Sequence, residues 1–283
     1  MTPLAYDPAQ IAVARDVLAS LGAAPNRTLG QNFLVNAGAL DHICEVANLQ
    51  KSDAVLEIGP GLGALTVRLK RDAQSVVAIE KDRAFAAFIR NKFRGDGFFL
   101  VEDDALDVDW NDLRLPETGV KIVANLPYSI SKPMLRRIYE DWRPHLHSAT
   151  VLLQREVANR LVATAGAKEY GPLAIMASLY SRTEKAFDIA PGSFLPPPDV
   201  VSTVVHAQFL ATPSIDLHDE KKFWQIVRAA FGQRRKTLGN TLKVIAPREV
   251  LAPAFEKTAI DPQRRGETLS PLEFNALCEA IFP

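Results

Sequence analysis

The chain has 283 residues, 47% hydrophobic and 23% charged, the composition of a folded globular protein rather than a disordered one. Its 33 basic and 33 acidic residues cancel, so no global charge marks a nucleic-acid binder, and no run approaches the ~20 apolar residues of a membrane helix. The N-terminal MTPLAYDPAQ lacks the basic and apolar regions of a signal peptide, and Cys44 and Cys278 stand alone, which predicts a cytoplasmic protein with free thiols.

In chain order, residues 8–21 carry helical apolar spacing up to Gly22, and residues 37–48 repeat it. Short Val- and Ile-rich runs follow: AVLEI (54–58), SVVAI (75–79), GFFLV (97–101), VKIVA (120–124) and SATVLL (148–153). Helical sequence separates them, which predicts βα repeats around a buried parallel sheet. PGSFLPPPDVVSTVVHAQF then brings four prolines and an alternating, strand-like run at 201–209. Segments 221–231, 234–245, 248–255 and 271–281 read as helices. This change of texture predicts an α/β domain over 1–210 and a small helical domain over 211–283.

The first strand-like run ends in Glu57-Ile58-Gly59-Pro60-Gly61-Leu62-Gly63, and Ala64 opens a helix. Such a turn lets backbone approach a ligand closely, with helix N–H groups facing it. Gly59, Gly61 and Ala64 also satisfy G-x-G-x-x-A, and Glu80 ends the next run, where an acid can accept from both hydroxyls of a ribose. A nicotinamide cofactor is therefore one reading. Glu57 argues against it: a carboxylate there suits the ammonium of an amino-acid-like ligand and would stand poorly beside a pyrophosphate. Asp104, after the third run, can accept from the exocyclic amine of an adenine. Glu57, Glu80 and Asp104 thus fall at the carboxyl ends of three successive strands, a pattern that suits S-adenosylmethionine.

The fourth run ends in Asn125-Leu126-Pro127-Tyr128. Methylating an aromatic amine requires its delocalised lone pair to be aimed at the methyl group. The Asn125 side-chain oxygen and the Leu126 carbonyl can accept the two N–H bonds of such an amine. Pro127 fixes the turn, and Tyr128 can stack on the base. Phe194, before Pro196–Pro198, reads equally as a second stacking wall or as part of a stiff connection.

Residues 221–248 carry eight basic side chains and no acid. Arg234, Arg235 and Lys236 are consecutive and fan around a helix, which suits an RNA phosphate backbone. Arg136 and Arg137 are weaker candidates for the same surface. His145 and His147 lack a third ligand nearby, so no metal is expected. Trp110, Trp142 and Trp224 read as packing residues.

Nine motifs now stand in order: GQNFL (30–34), EIGPGLGALT (57–66), IEKD (79–82), DDAL (103–106), NLPYSIS (125–131), LLQREVANRL (152–161), YGPLAI (170–175), FLPPPDVVSTVV (194–205) and FGQRRKTLGNTL (231–242). With them the chain resembles the bacterial small-subunit 16S ribosomal RNA adenine dimethyltransferases over nearly its whole length. The resemblance implies a class I S-adenosylmethionine-dependent methyltransferase fold. Its Rossmann-like sheet has seven strands, the last antiparallel, and a small helical C-terminal domain contacts RNA. It implies transfer of two methyls to each of two adjacent adenines near the 3′ end of 16S rRNA in the small ribosomal subunit. By motif match, Asn32, Leu34, Gly59, Glu80, Asp104 and Asn125 fall on the family's cofactor contacts. Asn125, Leu126, Pro127 and Tyr128 fall on its adenine pocket, with Phe194 nearby. Ser129 stands where relatives often carry Asn. The QRRKT element, Gln233–Thr237, favours this family over the related large-subunit enzymes of macrolide resistance. A subunit-assembly factor with a secondary methylation role is the non-enzymatic alternative. A monomer is expected.

Overall fold

The apolar runs become strands because β-branched side chains suit extended backbone that is buried on both faces. A computed structural model describes residues 6–22, 31–233 and 235–283. Its strands are β1 (Phe33–Leu34), β2 (Ala54–Ile58), β3 (Ser75–Ile79), β4 (Phe98–Val101), β5 (Val120–Asn125), β6 (Leu146–Gln154), β7 (Ser181–Ile189), β8 (Phe194–Leu195) and β9 (Ser202–Phe209). Seven form one sheet in the order β4-β3-β2-β5-β6-β9-β7, while β1 pairs with β8. β2 is parallel to β3 and β5, β3 to β4, and β5 to β6; β9 runs antiparallel to β6. The strand order reverses between β2 and β5, so a crevice opens beyond their carboxyl ends.

Every residue of β2 is buried. The one lysine of β5, Lys121, is buried too, and is compensated by Asp53 at 2.8 Å and the Asn48 carbonyl at 2.7 Å. The one strand of the seven-stranded sheet that the apolar runs did not reveal is β7. Its sequence, SRTEKAFDI, is mostly polar because it lies at the sheet edge and faces solvent along much of its length.

Helices α1 (Ile11–Ser20), α2 (Ala37–Val46), α3 (Ala64–Asp72), α4 (Arg83–Lys92), α5 (Ser131–Arg137) and α6 (Arg155–Leu161) accompany the strands. Side chains cap two of them: Asn36 accepts from Ala39 N ahead of α2, and Asp82 from Ala84 N and Phe85 N ahead of α4. Five more helices follow: α7 (Pro172–Tyr180), α8 (Glu220–Gly232), α9 (Leu238–Thr241), α10 (Arg248–Thr258) and α11 (Pro271–Ile281). The last starts with a capping box, Ser270 and Glu273 bonding reciprocally.

The chain divides into two units, one comprising residues up to Ala158 with Thr183–Phe209, the other Asn159–Arg182 with Leu210–Pro283. The division read from sequence at 210/211 differs from this by Asn159–Arg182 and Leu210. Within the second unit α7 is buried on nearly every side, and the Tyr170 hydroxyl donates to the Leu269 carbonyl at 2.9 Å. Phe223 of α8 and Phe274 of α11 meet edge-on at 6.4 Å in its core. The helix expected over 234–245 is shorter, α9 followed by a 3₁₀ turn at Leu242–Val244. Thr237 is extended, and Leu238 N and Gly239 N donate to the carbonyls of Arg264 and Pro262 at 2.8 and 2.9 Å. These tertiary bonds, invisible to helical periodicity, set where the helix begins. Among the described residues no helix is long and apolar enough to cross a membrane.

Candidate active site

The glycine turn joins β2 to α3. Gly59, Gly61 and Gly63 all have positive φ, at 69°, 54° and 81°. Space as well as conformation demands glycine: a Cβ on Gly61 would lie 2.8 Å from the Phe33 ring, and one on Gly63 would lie 2.5 Å from Phe93.

Three acids stand around this turn. Glu57 is 1% exposed and accepts the Thr66 hydroxyl at 2.7 Å. It makes no ion pair among the described residues. Burial, with Glu80 adding to it against the Thr66 bond, pushes its carboxyl up to about 8. Glu80 accepts from Asp82 N at 2.8 Å and from Gly61 N at 3.3 Å. Burial raises its pKa, and these backbone bonds oppose the rise. Asp104 is half-buried; burial acts to raise its pKa, but Lys81 and the Leu106 N–H outweigh it, and the net shift is downward. Lys81 Nζ lies 2.5 Å from Asp104 Oδ2. Its neighbour Asp103 is exposed and accepts from Asp104 N at 2.7 Å.

Glu57 carries a stability prediction with a definite sign. Its carboxyl titrates near 4.5 when unfolded and about 8 when folded, so between these values the folded chain holds a proton that the unfolded chain has released. Stability from this group is present below 4.5 and is lost as pH rises through 8. Without cofactor, Glu57→Gln should therefore melt higher than the parent at pH 8.5, with the gap closing at pH 5. Identical pH profiles would show that Glu57 ionises freely in the fold.

The Asn125–Tyr128 segment leaves β5 at the far side of the crevice. Asn125 Nδ2 donates to the Asn32 carbonyl at 3.1 Å, which fixes the amide plane. The Pro127 carbonyl accepts from Ile130 N and Ser131 Oγ, each at 3.1 Å, and closes the turn into α5. Tyr128 is half-buried, and its hydroxyl bonds to the buried Ser202 Oγ of β9.

One cleft, with about 1170 Å³ of space opening to solvent, gathers these groups. Asn32, Leu34, Glu57, Gly59, Gly61, Glu80, Asp104, Asn125, Leu126, Pro127 and Tyr128 all line it. Phe194 does not. It is 2% exposed, pairs across β8 with Leu34, and shares a core cluster with Leu34, Leu40 and Val204. Arg235 and Lys236 belong to the second unit, exposed and without ion pairs among the described residues; Arg234 lies outside them. Arg136 pairs with Glu140, and Arg137 bonds the Val108 carbonyl. His145 stacks on Trp110 at 4.5 Å, and Trp110 meets Trp142 edge-on at 5.6 Å, as packing. Sequence reading missed Thr66, Lys81 and Ser202, which orient Glu57, Asp104 and Tyr128. Only Thr66 left a signal, as a hydroxyl in the first turn of α3.

Residues 23–281 match the ribosomal RNA adenine dimethylase family. The chain is 39% identical over 259 residues to the ribosomal RNA small subunit methyltransferase A of Clostridium botulinum, covering 91% of this chain and 94% of that one. It is 42% identical to the same-named protein of Clostridium perfringens, covering 90% of each. Among solved structures, a dimethyladenosine transferase from Plasmodium falciparum superposes with a TM-score of 0.70 at 26% identity, over 87% of this chain and 95% of that one. The 23S rRNA methyltransferase ErmE shares the fold, with a TM-score of 0.67 at 23% identity, over 89% of this chain and 100% of that one. With its sheet, its glycine turn and its Asn-Leu-Pro-Tyr segment on one cleft, the chain belongs to the ribosomal RNA adenine dimethylase family.

Proposed function

We propose that this chain dimethylates the N6 amines of two adjacent adenines near the 3′ end of 16S rRNA in an assembling small ribosomal subunit. It does so as a cytoplasmic monomer. The observation that carries the reading is the single cleft at the strand-order reversal, which holds three strand-end acids and the Asn125–Tyr128 turn together. S-adenosylmethionine supplies an electrophilic methyl on a sulfonium centre. The residues present fit it: among the described residues Glu57 is a buried acid without a cationic partner, and Glu57, Glu80 and Asp104 line the same cleft.

In this reading Glu57 receives the ammonium of the methionine moiety, Glu80 the ribose hydroxyls and Asp104 the adenine amine. Asn32, Leu34, Gly59 and Gly61 form the walls. The Asn125 oxygen and the Leu126 carbonyl accept the target amine's protons, with Pro127 holding the turn and Tyr128 stacking on the base. A phenol is not needed as a base there, and burial raises the Tyr128 pKa against the Ser202 bond. No strong general base is required, because the amine becomes acidic as the methyl arrives. Arg234, Arg235 and Lys236 meet the RNA backbone.

The test uses small subunits from cells lacking this methylation, with labelled S-adenosylmethionine and product mapping by mass spectrometry. Dimethyladenosine at two adjacent positions of 16S rRNA is expected. Label confined to large-subunit RNA, or no transfer, would overturn the reading.

A further inference from the structure

The cleft has a wall that neither the glycine turn nor the strand ends supply. Pro8 lines it, and the two residues before Pro8 tie the N-terminal segment to the turn. The Tyr6 hydroxyl donates to the Leu62 carbonyl at 2.8 Å, between Gly61 and Gly63. The Tyr6 ring stands edge-on to Phe88 and Phe93 at 6.2 and 6.3 Å and takes the Lys92 ammonium at 3.9 Å from its centre. Asp7 grips the helix that follows the turn. Its Oδ1 accepts from Arg68 Nη1 at 3.0 Å, and its Oδ2 from Nη2 at 3.1 Å. Arg68 is 1% exposed, and Nη1 donates also to the Ala64 carbonyl at 2.9 Å. Beyond the strap, Ala14 and Leu18 of α1 share a core cluster with Leu62 and Phe85. The segment therefore holds the turn at its loop, through Leu62, and at its helix, through Arg68. Thr66, which bonds Glu57, lies between these two anchors. The whole strap stands N-terminal to the family match.

We propose that Tyr6, Asp7 and Pro8 are positioning residues of the methyl-donor site, forming a strap that fixes the glycine turn and the first turn of α3 and slows the departure of S-adenosylmethionine. This rests on the reading of the cleft given above. Three positive-φ glycines leave the turn with many conformations that binding must remove. Tyr6 and Asp7 remove them in advance, so the cofactor finds an ordered wall. Neither touches the reacting atoms, so the strap governs cofactor affinity and residence while turnover at saturation stays the same.

The experiment titrates the full chain with S-adenosylmethionine, measures its dissociation rate by stopped flow, and determines kcat and both KM values on small subunits. Tyr6→Phe removes one hydroxyl and keeps the ring packing, so it folds even if Asp7→Asn does not. Tyr6→Phe is expected to raise the dissociation rate and the KM for S-adenosylmethionine about fivefold, the loss of one half-buried hydrogen bond. Its kcat and its KM for the subunit should stay within about twofold of the parent, because the lost hydroxyl acts only on the turn that holds the methyl donor. Tyr170→Phe removes a comparable hydroxyl, donated to the Leu269 carbonyl in the second unit. It should lower the melting temperature and leave cofactor binding alone. Tyr6→Phe behaving like Tyr170→Phe would overturn the strap, as would an equal fall in kcat. If the parent itself binds no S-adenosylmethionine, the functional reading fails, and the strap with it.

Discussion

Asn125→Ala should lower the rate of methyl transfer by about 10²–10³-fold, the usual consequence of removing one preorganised polar group from a reacting centre. An exocyclic adenine amine is flat, with its lone pair spread into the ring. To react it must be held by its two N–H bonds, with the lone pair along the line of the incoming methyl. Asn125 is suited to that task because its amide cannot rotate freely: Nδ2 is committed to the Asn32 carbonyl at 3.1 Å. The carbonyl oxygen of the same amide is thereby aimed. Alanine loses both the clamp and the acceptor. The effect belongs mainly to kcat, so single-turnover transfer with bound S-adenosylmethionine is the measurement. A variant within threefold of the parent, which is below about 1 kcal/mol, would remove Asn125 from the reacting centre.

Arg68→Met should destabilise the chain by about 3 kcal/mol, the lower end of the cost of breaking a buried ion pair by removing one partner. Methionine fills much of the volume, so the loss is electrostatic. Asp41 keeps Arg71 at 3.1 Å after the change. Asp7, whose side chain is only 13% exposed, then keeps no charged partner among the described residues, and its desolvation becomes uncompensated. Urea unfolding of the parent, Arg68→Met and Arg68→Met/Asp7→Leu gives the test. The double variant should recover part of the loss, because both charges are then gone. A midpoint for Arg68→Met equal to the parent's would mean that the guanidinium is dispensable.

The cleft side of the fold was readable because its residues are local in sequence. β2, the glycine turn and the acids at 57, 80 and 104 each follow from a few adjacent residues, and parallel strands bring their carboxyl ends together without further instruction. What escaped was set by distant partners. Phe33 lines the cleft and pairs with Leu195, as Leu34 does with Phe194, partners that no period could connect. Phe194 thus follows Leu34 into the core, where its sequence context allowed a stacking wall or a connection. β7 hid behind its charges, since an edge strand has little apolar surface to advertise. Lys81 lies in plain view beside Glu80, yet its bond to Asp104 crosses from one strand end to the next. The strap at Tyr6 and Asp7 likewise depends on contacts more than fifty positions away.

The helical unit is assembled from two stretches, Asn159–Arg182 and Leu210–Pro283, with Thr183–Phe209 returned to the other unit between them. In chain order α7 therefore precedes α8 and α11, and β7 and β9, which complete the sheet, come between them. A swap of this unit between relatives must then move both stretches as a pair. A gene joined at the 210 junction alone would marry α7, with Ile175, Met176 and Leu179 facing inward, to helices that never coevolved to receive it.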